Sequence, residues 1–228
     1  RRVLFYVQHL LGIGHLRRAA TLARAFTAAG LDVALVSGGH DVPGLEVASA
    51  RFIQLPPTRA TDLYFKVLVD DNDAAIDDSW RERRREALHQ AWLEVRPHVL
   101  LFELFPFGRR QLRFEIVPLL DAAVAGPQRP CIASSVRDIL VTQHKPGRND
   151  EMLGFIERYF DRVLVHGDPS LVPLDQTFPH AARIAAKIAY TGYVVDRTGK
   201  RGGPGSPGDG EVVVSAGGGA VGLALLQT

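Results

Sequence analysis

Apolar residues in this chain come in short runs separated by amphipathic stretches, the rhythm of alternating strands and helices. Residues 3–7 (VLFYV) have no polar interruption, as expected of a strand buried on both faces. Leu22, Ala23, Phe26 and Ala29 recur at helical spacing and predict a helix over 17–29, stopped by Gly30. A second buried strand is predicted at 32–37, a weaker third at 51–55 before Pro56-Pro57, and strand character at 64–69. A helix through Val95 takes Asp78 or Ser79 as its N-cap and is closed by Pro97. The pattern continues with strands at 99–102 (ending at Glu103), 131–135, 162–166 and 188–191. Helices fall at 110–125, with Pro118 as a kink or break, and at 150–160.

This alternation predicts an α/β fold, a Rossmann-like parallel sheet with helices on both faces. Ligands of such sheets gather outside the C-terminal strand ends, here 8–15, 37–40, 103–108, 134–138 and 166–170. The composition changes at 199–210, which holds six Gly and two Pro and reads as a linker. A new strand, glycine-rich turn and helix start follow at 211–228, so the chain reads as a piece of a longer two-domain protein: 1–198, a linker, and an incomplete second Rossmann-like domain.

Charge and cysteine content narrow the class. The net charge of +2, without long blocks of one sign, gives no nucleic-acid tail. The single cysteine, Cys131, excludes an internal disulfide and a CxxC metal signature, and fits a reducing cytoplasm. No apolar run approaches the roughly 20 residues of a membrane span.

The chemistry concentrates in Gly12-Ile13-Gly14-His15, a glycine turn between the first strand and first helix. Such a turn gathers free N–H groups and the positive helix end at one point. A dinucleotide fingerprint would have a third glycine where Arg17 stands and an acidic residue where the second strand ends at Ser37-Gly38. Both departures count against a nicotinamide or flavin cofactor. A histidine at a helix N-terminus is held toward its neutral form, a competent proton acceptor. The plain alternative is a tight turn whose histidine caps backbone groups. His9 and His40 follow neighbouring strands, but the three histidines match no compact zinc spacing. Glu103, Arg137 and Asp138 stand at strand ends as candidate cleft groups, against readings as a local cap and a local ion pair. His166-Gly167-Asp168-Pro169 is a similar turn. Asp70 to Asp78 reads as solvated turn residues, lacking the Gly and terminal Glu of a calcium loop. Trp80, Leu88, Ala91, Trp92 and Val95 share one helical face amid Arg81, Arg83, Arg84, Arg85 and Glu86. A core-packing helix with a solvated basic rim is favoured over an aromatic, basic membrane-surface patch.

With these residues in place, the chain resembles the N-terminal part of a GT-B glycosyltransferase, and within that class the predicted glycosyltransferases related to family 28. The resemblance is carried by 12–19 (GIGHLRRA), 103–110 (ELFPFGRR), 135–140 (SVRDIL), 166–169 (HGDP), 191–194 (TGYV) and 215–219 (SAGGG). It implies an inverting, metal-independent transfer of a sugar, a hexose, from a nucleotide-sugar to an acceptor hydroxyl, with no further cofactor. It further implies that His15 is the general base. Gly12, Gly14, Glu103, Arg137 and Asp138 would sit on the acceptor side, and Ser215, Gly217, Gly218 and Gly219 on the donor diphosphate. Residues 1–198 would then be acceptor-binding and 211–228 the start of the nucleotide-sugar-binding domain, inactive without the remainder. The setting expected from cysteine usage is cytoplasmic, and peripheral contact at the inner membrane face rests on the basic helix around Arg81 to Arg85 alone. A sugar-nucleotide epimerase of the same architecture and a non-catalytic ligand-binding domain are the alternatives.

Overall fold

The computed structural model describes residues 1–62, 65–141 and 145–196. The linker and the donor-side residues Ser215, Gly217, Gly218 and Gly219 lie outside the described residues. Within them stands a parallel sheet of seven strands: β1 (Arg2–Val7), β2 (Asp32–Ser37), β3 (Arg51–Gln54), β6 (Val99–Glu103), β7 (Cys131–Arg137), β8 (Arg162–His166) and β9 (Ile188–Tyr190). A short antiparallel ribbon, β4 (Arg59–Ala60) with β5 (Leu68–Val69), stands apart from it. The helices are α1 (Gly14–Ala28), α2 (Asp78–Val95), α3 (Arg113–Ala125) and α4 (Arg148–Tyr159).

The strand order is β3-β2-β1-β6-β7-β8-β9, so the winding direction reverses between β1 and β6. That reversal opens a crevice at the C-terminal ends of these two strands, because the connections leaving them run to opposite sides. The period of two along each strand sorts the core into two layers. Leu4, Tyr6, Val36, Leu100, Phe102, Ile132 and Val136 face Leu88, Ile116, Leu120 and Ile156 of α2, α3 and α4. Val3, Phe5, Val7, Leu35, Leu101 and Ala133 face Leu16, Ala19, Ala20 and Ala23 of α1.

Several elements depart from the sequence pattern for identifiable reasons. Helix α1 begins at Gly14, three residues earlier than the apolar spacing shows; in this first turn Gly14 and His15 line a cavity while Leu16 packs into the core. The cap of α2 is Asp77, whose carboxylate accepts from the Trp80 N–H at 2.7 Å. The segment 110–112 is a 3-10 turn leading into α3, and Pro118 sits on an exposed position inside α3 without ending it. Only Leu68 and Val69 of the 64–69 run form a strand, and residue 64 lies outside the described residues.

The largest correction concerns Arg84, which belongs to no solvated rim. It shares the helical phase of Trp80 and Leu88 and is fully buried. Its Nε donates to Glu115 Oε2 at 2.8 Å, and its terminal nitrogens donate to Gln8 Oε1 at 2.6 Å and to the carbonyls of Gly38 and Pro56. Tyr6 donates its hydroxyl to Glu115. A buried ion pair is costly to break, since removing one partner leaves the other charge in low dielectric. Arg84→Met should therefore lower stability in urea denaturation by about 3–5 kcal/mol. Arg84→Met with Glu115→Leu should recover most of that loss. Arg81→Gln, on the exposed side of α2, should stay within about 0.5 kcal/mol of the parent.

Candidate functional site

The crevice between β1 and β6 holds a cavity of about 790 Å³. On the β1 side it is lined by Leu10, Leu11, Gly12, Gly14 and His15. Across from these stand the loop after β6 and residues from β7 and α4, among them Phe107, Arg109, Arg137 and Met152. Helix α1 has no side-chain cap, so its first N–H groups open where Gly12 and Gly14 line the cavity. The loop after β6 is bracketed by two non-glycine residues in the left-handed region, Leu104 at φ 70° and Arg109 at φ 61°. Such conformations cost free energy and persist only where the surroundings hold them. Gly108 closes the loop on Leu104: a Cβ there would stand 2.7 Å from the leucine side chain.

Period-two alternation puts Glu103, Ser135 and His166 on the α1 side of the sheet, continuing the rows of Leu101, Ala133 and Leu164. Glu103 and Ser135 are direct register partners. Glu103 is fully buried. Its Oε1 accepts from His15 Nδ1 at 2.9 Å and from the Arg18 guanidinium. Its Oε2 accepts from the Ser135 hydroxyl at 2.6 Å. His15 and Arg18 are one turn apart on α1, so a single carboxylate grips the start of that helix from below.

The hydrogen bonds assign the tautomers. An ionised carboxylate only accepts, so the 2.9 Å contact to Glu103 places the His15 proton on Nδ1, over the longer 3.3 Å approach of Arg18 to the same nitrogen, and leaves Nε2 as the lone pair of a side chain that lines the cavity. Ser135 spends its proton on Glu103, so at 2.9 Å its oxygen accepts from His166 Nε2. His166 Nδ1 then accepts from the Thr191 hydroxyl at 2.7 Å. A continuous chain of polar groups thus runs across the ends of β6, β7, β8 and β9 to the histidine beside α1.

Burial, with Arg109 and Arg18 nearby, holds the His15 pKa below the ordinary histidine value, against the pull of Glu103 in the other direction. His15 is therefore neutral around pH 7. Burial pushes the Glu103 carboxyl up, but the His15 and Ser135 hydrogen bonds and the Arg18 charge outweigh it and leave the pKa lowered. His166 is pushed down to about 4, chiefly by burial, and stays neutral with its tautomer fixed.

Of the residues expected from sequence, the structure brings Gly12, Gly14, His15 and Arg137 to the cavity, with Glu103 directly behind His15. Asp138 turns elsewhere: it packs against Gly167, accepts from the Ile139 N–H, and does not line the cavity. His9 is buried against Gly39, its pKa held at about 4 chiefly by burial. Among the described residues no group of three or more His, Cys, Asp or Glu side chains is disposed to hold a metal ion. No described helix is long and apolar enough to cross a membrane. Arg18, Arg109, Ser135, His166 and Thr191 went unassigned in the sequence. For Ser135 and His166 the usable signal was a polar residue toward the C-terminal end of an otherwise apolar strand, in CIASSVR and RVLVH.

No protein-family model and no curated protein sequence matches the chain. Among solved structures it is similar to CalG4, the calicheamicin glycosyltransferase, at 13% identity and a TM-score of 0.47, covering 88% of this chain and 55% of that one. It is also similar to a UGT transferase from Siraitia grosvenorii in complex with UDP, at 14% identity and a TM-score of 0.44, covering 84% and 50%. A third likeness is to MurG of Acinetobacter baumannii, at 11% and 0.42, covering 74% and 42%. The chain spans about half the length of these structures.

The electrostatics of His15 give a paired expectation. Glu103→Gln removes a contribution that raises its pKa, so the value should fall further. Arg109→Gln removes one that lowers it, so the value should rise toward 6.5. Imidazole NMR titration of both variants reads the two signs; a shift in the same direction in both would contradict the arrangement.

Proposed function

We propose that the chain is the acceptor-side part of an inverting, metal-independent glycosyltransferase that moves a sugar, a hexose, from a nucleotide-sugar to an acceptor hydroxyl. The observation that carries this reading is the His15–Glu103 pair at the topological switch point. A neutral imidazole has its outer nitrogen at a cavity and its inner N–H held by a fully buried carboxylate. That is the geometry of an oriented general base.

In this reading the acceptor hydroxyl approaches His15 Nε2. As its oxygen forms a bond to the anomeric carbon, its proton passes to Nε2 and the bond from that carbon to the diphosphate oxygen breaks. The nucleoside diphosphate leaves with the electron pair, and the anomeric configuration inverts. Glu103 acts as the counter-charge to the imidazolium that forms, without taking the proton itself. Ser135, His166 and Thr191 are positioning residues that keep the Glu103 carboxylate in one orientation. The donor diphosphate falls to Ser215, Gly217, Gly218 and Gly219 together with the remainder of a second domain, its charge met by backbone amides and a helix end. The surroundings are cytoplasmic, at or near the inner membrane face.

The test uses the whole protein that carries this chain, with a nucleotide-sugar and a panel of hydroxyl acceptors. Nucleoside diphosphate should be released only when an acceptor is present. His15→Ala should cut turnover by about 10²–10⁴-fold, the range of a lost general base. Ser135→Ala should cost less and alter the acidic limb of the pH profile, since it loosens the group that sets the His15 pKa. Residues 1–228 alone should give no transfer. Conversion of the nucleotide-sugar without any acceptor would favour an epimerase instead, and unchanged turnover in His15→Ala would sink the assignment of the base.

A further inference from the structure

The charge lining the cavity is lopsided. Arg109, Arg110, Arg113, Arg137 and Arg148 all face it, and Glu151 is the one carboxylate among its lining residues. Glu151 is already claimed: Arg113 donates to it at 2.5 Å and Arg110 stands 3.4 Å from it. Arg109, Arg137 and Arg148 form no ion pair among the described residues. Arg109 is the most constrained. Its backbone is left-handed, its Nε donates to the Gln8 carbonyl at 2.7 Å, and its terminal nitrogens donate to no described residue. Burial pulls its pKa down to about 10, the response of a cation that lacks full compensation. Glu103, the carboxylate it feels through space, already accepts from His15, Arg18 and Ser135. Holding a guanidinium in this state costs free energy that an incoming anion would return. Apart from His15 and Gln111 the rest of the lining is apolar or glycine, with Leu10, Leu11, Phe65, Phe107, Leu140 and Met152.

We infer that the acceptor is a hydroxylated organic anion, with an apolar body on these side chains and a carboxylate or phosphate held by Arg109 beside His15, with Arg137 and Arg148 as the outer cations. Calling this ligand the acceptor rests on the proposed transfer reaction; the anion preference itself does not. A consequence follows for the base. Arg109 lowers the His15 pKa, so an anion bound to Arg109 offsets that effect and raises it, whereas an uncharged ligand of the same shape does not.

The probes are 6-hydroxy-2-naphthoate and its uncharged amide, which share an apolar body and a hydroxyl and differ in one charge. Binding to the 228-residue chain is followed by probe fluorescence, and His15 by imidazole NMR. The naphthoate should bind about tenfold or more tightly than the amide at low salt, the discrimination of a charge-assisted hydrogen bond. The margin should narrow as salt is added. It should collapse in Arg109→Gln, shrink in Arg137→Gln/Arg148→Gln, and persist in Arg81→Gln and His15→Ala. The outer pair protects the test should Arg109→Gln fail to fold, since neither the Arg137 nor the Arg148 side chain has a hydrogen bond or ion pair among the described residues. Only the naphthoate should raise the His15 pKa.

Equal affinities, or no binding of either probe, would overturn the inference. It would equally be overturned if UDP bound through Arg109 while the naphthoate showed no preference, which would assign the arginine to the donor diphosphate. Inorganic phosphate alone should compete weakly, because it has no apolar body; competition as strong as that of the naphthoate would leave a bare anion site and remove the apolar part of the claim. None of these readouts depends on turnover, so failure of the glycosyltransferase reading would show up separately.

Discussion

The buried carboxylate of Glu103 is the constraint around which this end of the molecule is arranged. An isolated carboxylate in such a place would take up a proton rather than remain charged. Three donors from three directions keep it ionised: His15 and Arg18 from α1, and Ser135 from the adjacent strand. Because two of them lie one turn apart on α1, the same contacts fix where that helix begins relative to the sheet. Helix α1 has no side-chain cap, so these contacts help to fix its entry. The charge state of one residue therefore determines the position of the cavity wall.

A second charged cluster lies on the opposite face of the sheet, and Gln8 joins it to Arg109 of the cavity wall. Arg84, Glu115 and Tyr6 are buried beneath α2 and α3. Gln8, the first residue after β1, accepts from Arg84 through its side chain and from Arg109 through its carbonyl. Its amide donates to the carbonyls of His9 and Thr58. The strand end that leads into the His15 turn is thus clamped from both faces. Glycines complete the clamp, since a Cβ at Gly38 or Gly39 would overlap Arg84 or His9. A rigid strand end matters here because His15 is only seven residues beyond Gln8, and a base must be placed to within a fraction of an ångström of its proton.

How much of this was legible beforehand depended on whether the signal was local. Residues 32–37 and 162–166 could be bounded to the residue, because uninterrupted apolar runs flanked by polar residues have one reading in a two-sided sheet. The His15 turn and Glu103 could be singled out as strand-end groups. Their pairing across 88 positions of sequence could not, since it depends on β1 and β6 being neighbours. Arg84 shows the opposite failure. Its helical phase with Trp80 and Leu88 was visible, but composition argued for solvent, and only a buried Glu115 from another helix makes the phase decisive. Asp138 likewise sits at a strand end, yet local packing against Gly167 turns it from the cavity.

The arginine-rich wall and the neutral histidine look at first like opposed requirements, because cations beside a base weaken it. In the unliganded cavity they do: Arg109 and Arg18 help hold His15 below its ordinary pKa, so that it does not sit protonated and idle near neutral pH. On the proposed reading, arrival of an anionic acceptor cancels part of that field at the moment the base is needed. The imidazole then gains proton affinity while Glu103, which Arg109 does not touch directly, keeps its orientation. A base made stronger by its own substrate avoids the usual compromise between being unprotonated and being basic enough to act. Such coupling demands that anion and base be close but not bonded to each other. That is the relation between an arginine anchored on the Gln8 carbonyl and a histidine anchored on Glu103.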